Sequence, residues 1–332
     1  MLTILNCLTE NGTERTQQGE GSAMKIVGVT GPDFMPRLFD ISEPVAAHDG
    51  VVVDVMAASV NDFDRAAVHG RYLGLTGQLD PVLLGRDFVG RVATVGDDVD
   101  YIDVGMYVAG TLAPQASGQP GTFTDKVAVP AKLLAPVPDG VDVAQAAAVG
   151  LAGVTALDAV NVLGAANLGT MVIHGPVGGV GGFALQLAKA RGAVVAAVTL
   201  PGQADLAREL GADVVIPEGA NATQSIQKVR DVLGGGVDTA IHVAGDPSVV
   251  AGLVWPGGRF TSLTDVSISA PRGAGYVPTI VAPNGHKLAD LLFKVASHRL
   301  RSHVHRTLSF DQVADAVNPR STHSDGRIVL IR

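Results

Sequence analysis

The 332-residue sequence contains a single cysteine, Cys7. One thiol excludes a disulfide framework and a four-cysteine metal knot, and it gives no reason to expect an oxidising compartment. Positive charge is also scarce, since 24 lysines and arginines against 32 aspartates and glutamates leave a net charge of −8. An acidic chain without a basic patch is not expected to bind nucleic acid or an anionic membrane. We therefore predict a cytoplasmic protein whose partner is a small molecule.

Two further features bear on targeting and on membranes. Residues 1–23 are polar and lack periodicity after Leu8, and the apolar start lacks the basic segment and cleavage site of a signal peptide. We predict a flexible extension, with Met24 as an alternative start of the folded part. The most apolar long stretch, residues 141–166, is alanine-rich and contains Asp142 and Asp158. This composition predicts packed helices rather than a membrane span.

The strongest signal is a strand, a glycine-rich turn and a helix over residues 172–191, VIHGPVGGVGGFALQLAKAR. Apolar residues after the turn recur at helical spacing. Such a unit seats the pyrophosphate of a dinucleotide, because a bare backbone permits close approach and the first helix amides point at negative charge. We predict that Gly178 allows this approach and that Gly181 packs the helix on the strand. Gly179 and Val180 complete the predicted cofactor contacts of the turn.

The next predicted strand, residues 194–198, bears on the choice of cofactor. NAD-specific units carry an acidic residue about 20 positions beyond the glycines, and that residue binds the ribose diol. Here the strand ends at Thr199, which has no carboxylate to repel a 2′-phosphate, and Arg208 is the nearest cation downstream. We predict NADPH as the cofactor, with NADH as the weaker alternative. Thr199 merely ending a strand is the competing interpretation.

The chain changes character along its length. Residues 24–143 contain short strands and turns that are typical of a β-rich domain. Residues 144–282 alternate helices with apolar strands, which predicts a doubly wound parallel sheet in an α/β fold. Residues 283–332 contain a helix and a strand-like tail, and we predict that this tail returns to the first domain.

Several segments in the same order resemble the medium-chain dehydrogenase/reductase superfamily, in its zinc-free quinone oxidoreductase (zeta-crystallin-like) branch. They include AASVNDFD (57–64), LLGRDFVGRVATVG (83–96), GTFTDKVAVP (121–130), GLAGVTALDAV (150–160), the glycine unit, VDTAIHVAG (237–245), WPGGRFTSL (255–263) and DGRIVLI (325–331). The resemblance implies a GroES-like domain, a Rossmann domain that binds NADP, a substrate cleft between them and a homodimer.

The resemblance also assigns site residues. Asn61 corresponds to an asparagine that reaches the nicotinamide ribose, although an Asx turn is the alternative. Thr155 corresponds to a threonine near the cofactor carboxamide, with a hydroxyl bonded to its own helix as the alternative. Asp64 is either a nearby acid or a helix cap. The family tyrosine that often lies two residues beyond Asp64 is Ala66 here, so Tyr72 in HGRY is a candidate proton donor or stacking surface from the sequence alone, with a plain core or rim tyrosine as the competing interpretation.

Two further pairs are predicted to contact the cofactor because each follows or ends a parallel strand. Ligands bind in such folds beyond the carboxyl ends of the strands. The residues are Val243, Ala244, Ser262 and Leu263.

The residues at the positions of the zinc ligands indicate whether this chain can bind a catalytic zinc ion. Catalytic zinc needs three protein ligands and an open position. The zinc-bearing relatives place a cysteine near Asn61 and a His-Glu pair at the positions of Arg86 and Asp87, so the resemblance implies that no metal is bound. We expect Arg86 and Asp87 to form a local structural pair instead.

Without a Lewis acid, the reduction of an electron-poor acceptor is favoured over the oxidation of an alcohol. The sequence therefore predicts an NADPH-dependent reductase that transfers a hydride to a quinone or an activated enone. An enoyl-thioester or alkenal reductase on the same scaffold is one alternative. A non-catalytic NADPH-binding protein is the other.

Overall fold

The computed structural model describes residues 24–31, 33–70, 81–113, 120–164, 168–264, 273–317 and 326–332. The elements of the first part are β1 (Met24–Val29), β2 (Arg37–Ile41), β3 (Gly50–Ser59), α1 (Asp62–Ala67), β4 (Val82–Leu83), β5 (Asp87–Val95), β6 (Tyr107–Thr111), β7 (Lys126–Pro130) and β8 (Leu134–Pro136). Those that follow are α2 (Val143–Leu163), β9 (Thr170–His174), α3 (Gly179–Ala190), β10 (Val194–Thr199), α4 (Ala204–Glu209), β11 (Val214–Pro217), α5 (Ala222–Leu233), β12 (Val237–His242), α6 (Ser248–Leu253) and β13 (Val254–Ser262). The last are β14 (Gly275–Tyr276), α7 (Gly285–Ala296), β15 (Val304–Ser309), α8 (Val313–Val317) and β16 (Arg327–Ile331).

The first part of the chain builds two sheets. One has the order β15-β16-β3-β5-β6-β8, with β7 paired to β3, and the other has the order β2-β1-β4. Valines that alternate along β3 bury one face against Phe88 of β5, as half-buried strands do. β16 pairs antiparallel with β3, from Val329 opposite Ser59 onward. The chain end therefore returns to the first sheet, while the predicted boundaries at residues 143 and 282 stay predictions.

The second part forms a parallel sheet of order β11-β10-β9-β12-β13-β14. Its strands are apolar on both faces because helices cover both. Met171 and Ile173 of β9 face the core that contains α2 and α3, whereas Val172 faces α6. The predicted fold class, a Rossmann sheet with a GroES-like β-rich domain, is confirmed.

Helix α2 joins the two parts and is broken once. The sequence predicts two helices at 143–148 and 154–163, and the structure has one element with a non-helical Gly150 between them. A Cβ at Gly150 would lie 2.1 Å from a carboxylate oxygen of Asp87, so the close approach requires glycine. α2 is long and apolar enough to cross a membrane, but 83% of its most apolar window is buried inside the protein. α2 is therefore an interior helix of this fold.

Candidate functional site

The glycine turn between β9 and α3 exposes unpaired backbone amides. The first hydrogen bond within α3 runs from the Gly182 N–H to the Gly178 carbonyl, at 2.9 Å. The amides of Gly179, Val180 and Gly181 therefore have no helical acceptor, and they point out of the helix start with its positive partial charge. This arrangement fits the pyrophosphate of a dinucleotide.

The glycines of this turn differ in the space around them. A Cβ on Gly181 would lie 2.0 Å from the carbonyl oxygen of Gly175, whereas a Cβ on Gly178 would meet nothing within 4 Å. Gly178 also has φ −65° and ψ 176°, a conformation that any residue adopts. Gly181 is therefore needed for packing, and Gly178 faces open space in which a ligand could lie.

These two glycines give a paired prediction. We expect Gly181→Ala to lower the free energy of unfolding by about 1–3 kcal/mol, because its methyl group meets backbone. We expect Gly178→Ala to keep the melting temperature and to weaken dinucleotide binding, because its methyl group would occupy the space left for phosphate. Fluorescence titration and thermal unfolding check both variants. Unchanged dinucleotide affinity in Gly178→Ala would mean that this turn is not the phosphate site.

One buried guanidinium lies between the glycine turn and the first sheet. Arg327 begins β16 and is 7% exposed. Its Nη2 donates to Ser59 Oγ at 2.6 Å and to Asn61 Oδ1 at 2.8 Å, and it lies 3.2 Å from Asp87 Oδ2. Its side chain passes over Gly179, where an added Cβ would lie 2.5 Å from Arg327 Cδ. Burial lowers the pKa of Arg327 and the Asp87 carboxylate opposes that shift.

The Asp87 carboxylate is the centre of this polar network, and it is fully buried. It accepts hydrogen bonds from Ser59 Oγ at 2.5 Å and from Thr111 Oγ1 at 2.7 Å. It also accepts the backbone N–H of Leu151 at 2.6 Å, which starts the second segment of α2. One carboxylate therefore ties β3, β6, β16 and α2 together.

The expected local pair of Arg86 and Asp87 is wrong. The ion-pair partner of Asp87 is Arg327, at 3.2 Å. The Arg86 guanidinium instead stacks 3.9 Å from the ring centroid of Phe63, and it donates to two backbone carbonyls. Neighbouring residues of an extended chain point to opposite sides, so sequence adjacency did not bring these two charges together.

Asn61 and Asp64 lie at the start of α1 and both are buried. The Asn61 amide donates to Asp87 Oδ2 at 2.9 Å and accepts from Arg327 at 2.8 Å, so both ends of the amide are engaged. Asp64 accepts the backbone N–H of Asn61 at 2.8 Å and that of Gly85 at 2.7 Å. Asn61 is the N-cap of α1, and Asp64, three residues later, completes a capping box by accepting its backbone N–H, which favours the capping role over the other role that the sequence left open for Asp64. Burial raises its pKa to about 6, while these two hydrogen bonds oppose the shift.

The predicted cofactor residues of the parallel sheet lie at its carboxyl edge. Ala244 lies directly over the turn, since a Cβ at Gly175 would be 3.0 Å from it. Val243 and Leu263 are partly buried, as is Thr155 within α2. Ser262 is buried and lies 2.8 Å from His242 Nδ1.

Three other predicted residues fit their expected roles less well or cannot be placed. The Thr199 side chain is buried, with 2% exposure, so its hydroxyl does not face solvent. Arg208 is exposed and forms an ion pair with Asp205 at 2.7 Å. Tyr72 lies outside the described residues. The structure thus brings Asn61 to the polar network but leaves Arg208 in solvent.

Several residues of this region are not among the site residues predicted from the sequence. Arg327 is one of them, and the available signal was a charged residue at the start of an apolar strand, in the segment DGRIVLI. The buried histidines His174 and His242 end β9 and β12 at the carboxyl edge, and their ring centroids are 5.9 Å apart. A histidine that closes an apolar strand just before a glycine turn was the corresponding signal.

Comparisons with known proteins agree with this architecture. Residues 47–139 match the alcohol dehydrogenase GroES-like domain family, and residues 179–262 match the family described as zinc-binding dehydrogenase. A quinone oxidoreductase structure from Coxiella burnetii superposes with a TM-score of 0.81 at 24% identity, covering 94% of this chain and 100% of the other. That likeness supports the fold.

Two of the curated relatives that match this chain indicate what it is similar to. A phthioceranic/hydroxyphthioceranic acid synthase of Mycobacterium tuberculosis H37Rv is 35% identical over 232 residues, which is 69% of this chain. This chain spans only 10% of the length of that synthase. The NADPH-dependent alkenal/one oxidoreductase of Arabidopsis thaliana chloroplasts is 30% identical over 309 residues, covering 90% of this chain and 76% of the relative. The chain therefore belongs to the medium-chain dehydrogenase/reductase superfamily, whose members use a nicotinamide cofactor.

Proposed function

We propose that this chain is an NADPH-dependent reductase that transfers a hydride to a quinone or an activated enone without a metal ion. The observation that carries the proposal is the position of Arg327, whose guanidinium bridges the polar network of Ser59, Asn61 and Asp87 and packs on Gly179 of the glycine turn. Dinucleotide site and polar network thus share one residue.

A zinc ion does not fit this network. The three side chains supply a hydroxyl, an amide and one carboxylate, whereas catalytic zinc prefers three ligands from cysteine, histidine and acidic residues. All three already bond to a guanidinium, which would repel a second cation at the same place. Across the described ranges, no three His, Cys, Asp or Glu side chains gather in a way that could hold a metal ion. The chemistry of these side chains supports our proposal that the reaction needs no zinc ion.

A dinucleotide does fit, because the amides at residues 179–181 and the open space at Gly178 can accept its phosphates. When bound, the reduced nicotinamide supplies the hydride. NADPH is supported by the name of the plant relative and by the absence of a carboxylate at Thr199. The protein's own contribution would be to hold the cofactor at the glycine turn, to orient it towards the acceptor and to exclude water from the acceptor. We assign no general base, since solvent can return a proton to a conjugated acceptor.

The same scaffold supports an alkenal or enoyl-thioester reductase as the second candidate. The Arabidopsis relative is named for alkenals and enones, and the mycobacterial relative is named for the synthesis of an acid.

We further propose that the protein is a homodimer and that it is located in the cytoplasm.

The test is NADPH oxidation followed across quinones, enones, alkenals and enoyl thioesters. We expect turnover with a simple quinone or an activated enone, at a rate that exhaustive dialysis against a chelator leaves unchanged. Turnover only with alkenals or enoyl thioesters would favour the second candidate. Dinucleotide binding without turnover on the whole panel would favour a non-catalytic binding protein. Activity that is lost on chelation and restored by zinc would contradict metal independence.

A further inference from the structure

The side-chain carboxylate of Glu218 lies at the carboxyl end of β10, although β10 itself ends at Thr199 and carries no acidic residue there. Glu218 follows β11 directly, and its backbone N–H donates to the Thr199 carbonyl at 2.8 Å. Its Oε1 lies 3.0 Å from Nε2 of His174, which ends β9. The sheet order is β11-β10-β9, so a side chain that starts at β11 and ends at β9 must cross the end of β10.

The segment after β12 covers this pair closely. A Cβ on Gly245 would lie 2.4 Å from a ring carbon of His174 and 3.1 Å from Glu218 Oε1. The preceding Val243 and Ala244 are predicted cofactor contacts, and Ala244 lies over Gly175 of the glycine turn. The carboxylate is therefore next to the place where a Rossmann fold holds the adenosine half of its dinucleotide.

The groups around the pair leave the carboxylate available to a ligand. Its side chain is 22% exposed, whereas His174 is 2% exposed and its Nδ1 is buried without a hydrogen-bond partner in the described structure. Both ring nitrogens of His242 lie within hydrogen-bond distance of a partner, Nδ1 of the Ser262 hydroxyl and Nε2 of the Gly245 carbonyl. Burial lowers the pKa of His242. The Lys228 ammonium donates to the backbone carbonyl of Glu218 at 3.2 Å.

We propose that Glu218, held by His174, reads the 2′-position of the adenosine ribose. The carboxylate accepts a hydrogen bond from the ribose hydroxyl of NADH, and it repels the 2′-phosphate of NADPH. It thereby narrows, without reversing, the preference for NADPH that the lack of a carboxylate on Thr199 allows, so the proposed NADPH-dependent enzyme also binds NADH. This inference rests on the proposed dinucleotide site but not on the acceptor.

The experiment measures the Kd of NADPH and of NADH by nicotinamide fluorescence for the wild type and Glu218→Gln. The amide retains the shape and an acceptor for His174 but removes the charge. We expect the ratio of the two Kd values to move at least about tenfold towards NADPH, because a like charge beside the phosphate is lost. Adenosine 5′-monophosphate and its 2′-phosphorylated form, measured by calorimetry, should show the same shift. In the wild type, the ratio of the two Kd values should also move towards NADPH when salt is added, since the added ions screen the repulsion between the Glu218 carboxylate and the 2′-phosphate.

Glu209→Gln is the matched control, because it removes a carboxylate that pairs with Arg301 on the surface and should leave the ratio unchanged. Glu218→Ala provides a second charge-removing variant that should shift the ratio in the same direction. If the wild type binds both dinucleotides and neither Glu218 variant moves the ratio, the role of Glu218 is overturned and the proposed function stands. If the wild type binds neither dinucleotide, the proposed function and this inference fail together.

Discussion

Replacing Arg327 by methionine is expected to lower the free energy of unfolding by about 3–5 kcal/mol, the cost typical of removing one partner from a buried ion pair. Methionine retains most of the packing over Gly179 but removes the donor shared by Ser59, Asn61 and Asp87. The Asp87 carboxylate then remains buried without a compensating charge. Urea unfolding of the purified variant measures the loss.

Arg332→Met is the matched control at the end of the same chain segment. Arg332 pairs with Asp125 at the surface, where the two side chains are 39% and 50% exposed. An exposed pair of this kind contributes about 0–1 kcal/mol. If both variants lose the same small amount, Arg327 does not stabilise the network. A double variant that adds Asp87→Asn should lose less than the two single effects together, because the uncompensated charge is then absent.

The parallel sheet and the glycine turn could be predicted because their signals are local. The run Val194–Thr199 is β-branched and apolar, and the turn at 175–182 precedes a helical period. The strand signal and the turn signal each depend on residues that are close in sequence. The structure has β10 at residues 194–199 and starts α3 within the glycine turn, at Gly179. The relatives then placed both halves of the chain in one superfamily.

The polar network could not be predicted in the same way, because its members are far apart in the chain. Arg327 meets Ser59 across 268 positions and meets Asp87 across 240. Only the return of β16 to β3 brings them together. The expected pairing of Arg86 with Asp87 relied on adjacency, and it was wrong for that reason.

The role of Thr199 shows a second limit. The second strand of the Rossmann unit ends at a threonine, where an NAD-specific unit carries an acidic residue. The structure instead brings a carboxylate to that place from β11, and it buries the threonine side chain. A rule that counts positions along one strand does not detect a residue that crosses from its neighbour.

Burial of Asp64 makes the stability of the protein depend on pH. The carboxyl is fully buried, and burial raises its pKa from the ordinary aspartate value of 3.8 to about 6. The folded state therefore binds the proton more tightly than the unfolded state does. The stabilising contribution is complete below the unfolded pKa and is lost as the pH rises through about 6. A shift of this size corresponds to about 3 kcal/mol between the two limits.

Asp64→Asn removes this proton and isolates its contribution. The variant also replaces one acceptor for the amides of Asn61 and Gly85, so its absolute stability is not the informative quantity. We expect the free energy of unfolding of the wild type, relative to the variant, to fall by about 2–3 kcal/mol between about pH 4.5 and 7.5. Subtracting the free energy of unfolding of the variant from that of the wild type cancels the contribution of every group that titrates alike in both proteins. Asp62→Asn, which changes an exposed carboxylate on the same helix, is the matched variant with which the pH profile of Asp64→Asn is compared. A flat profile for Asp64→Asn would mean that Asp64 is ionised throughout this range, with its two amide hydrogen bonds outweighing the effect of burial.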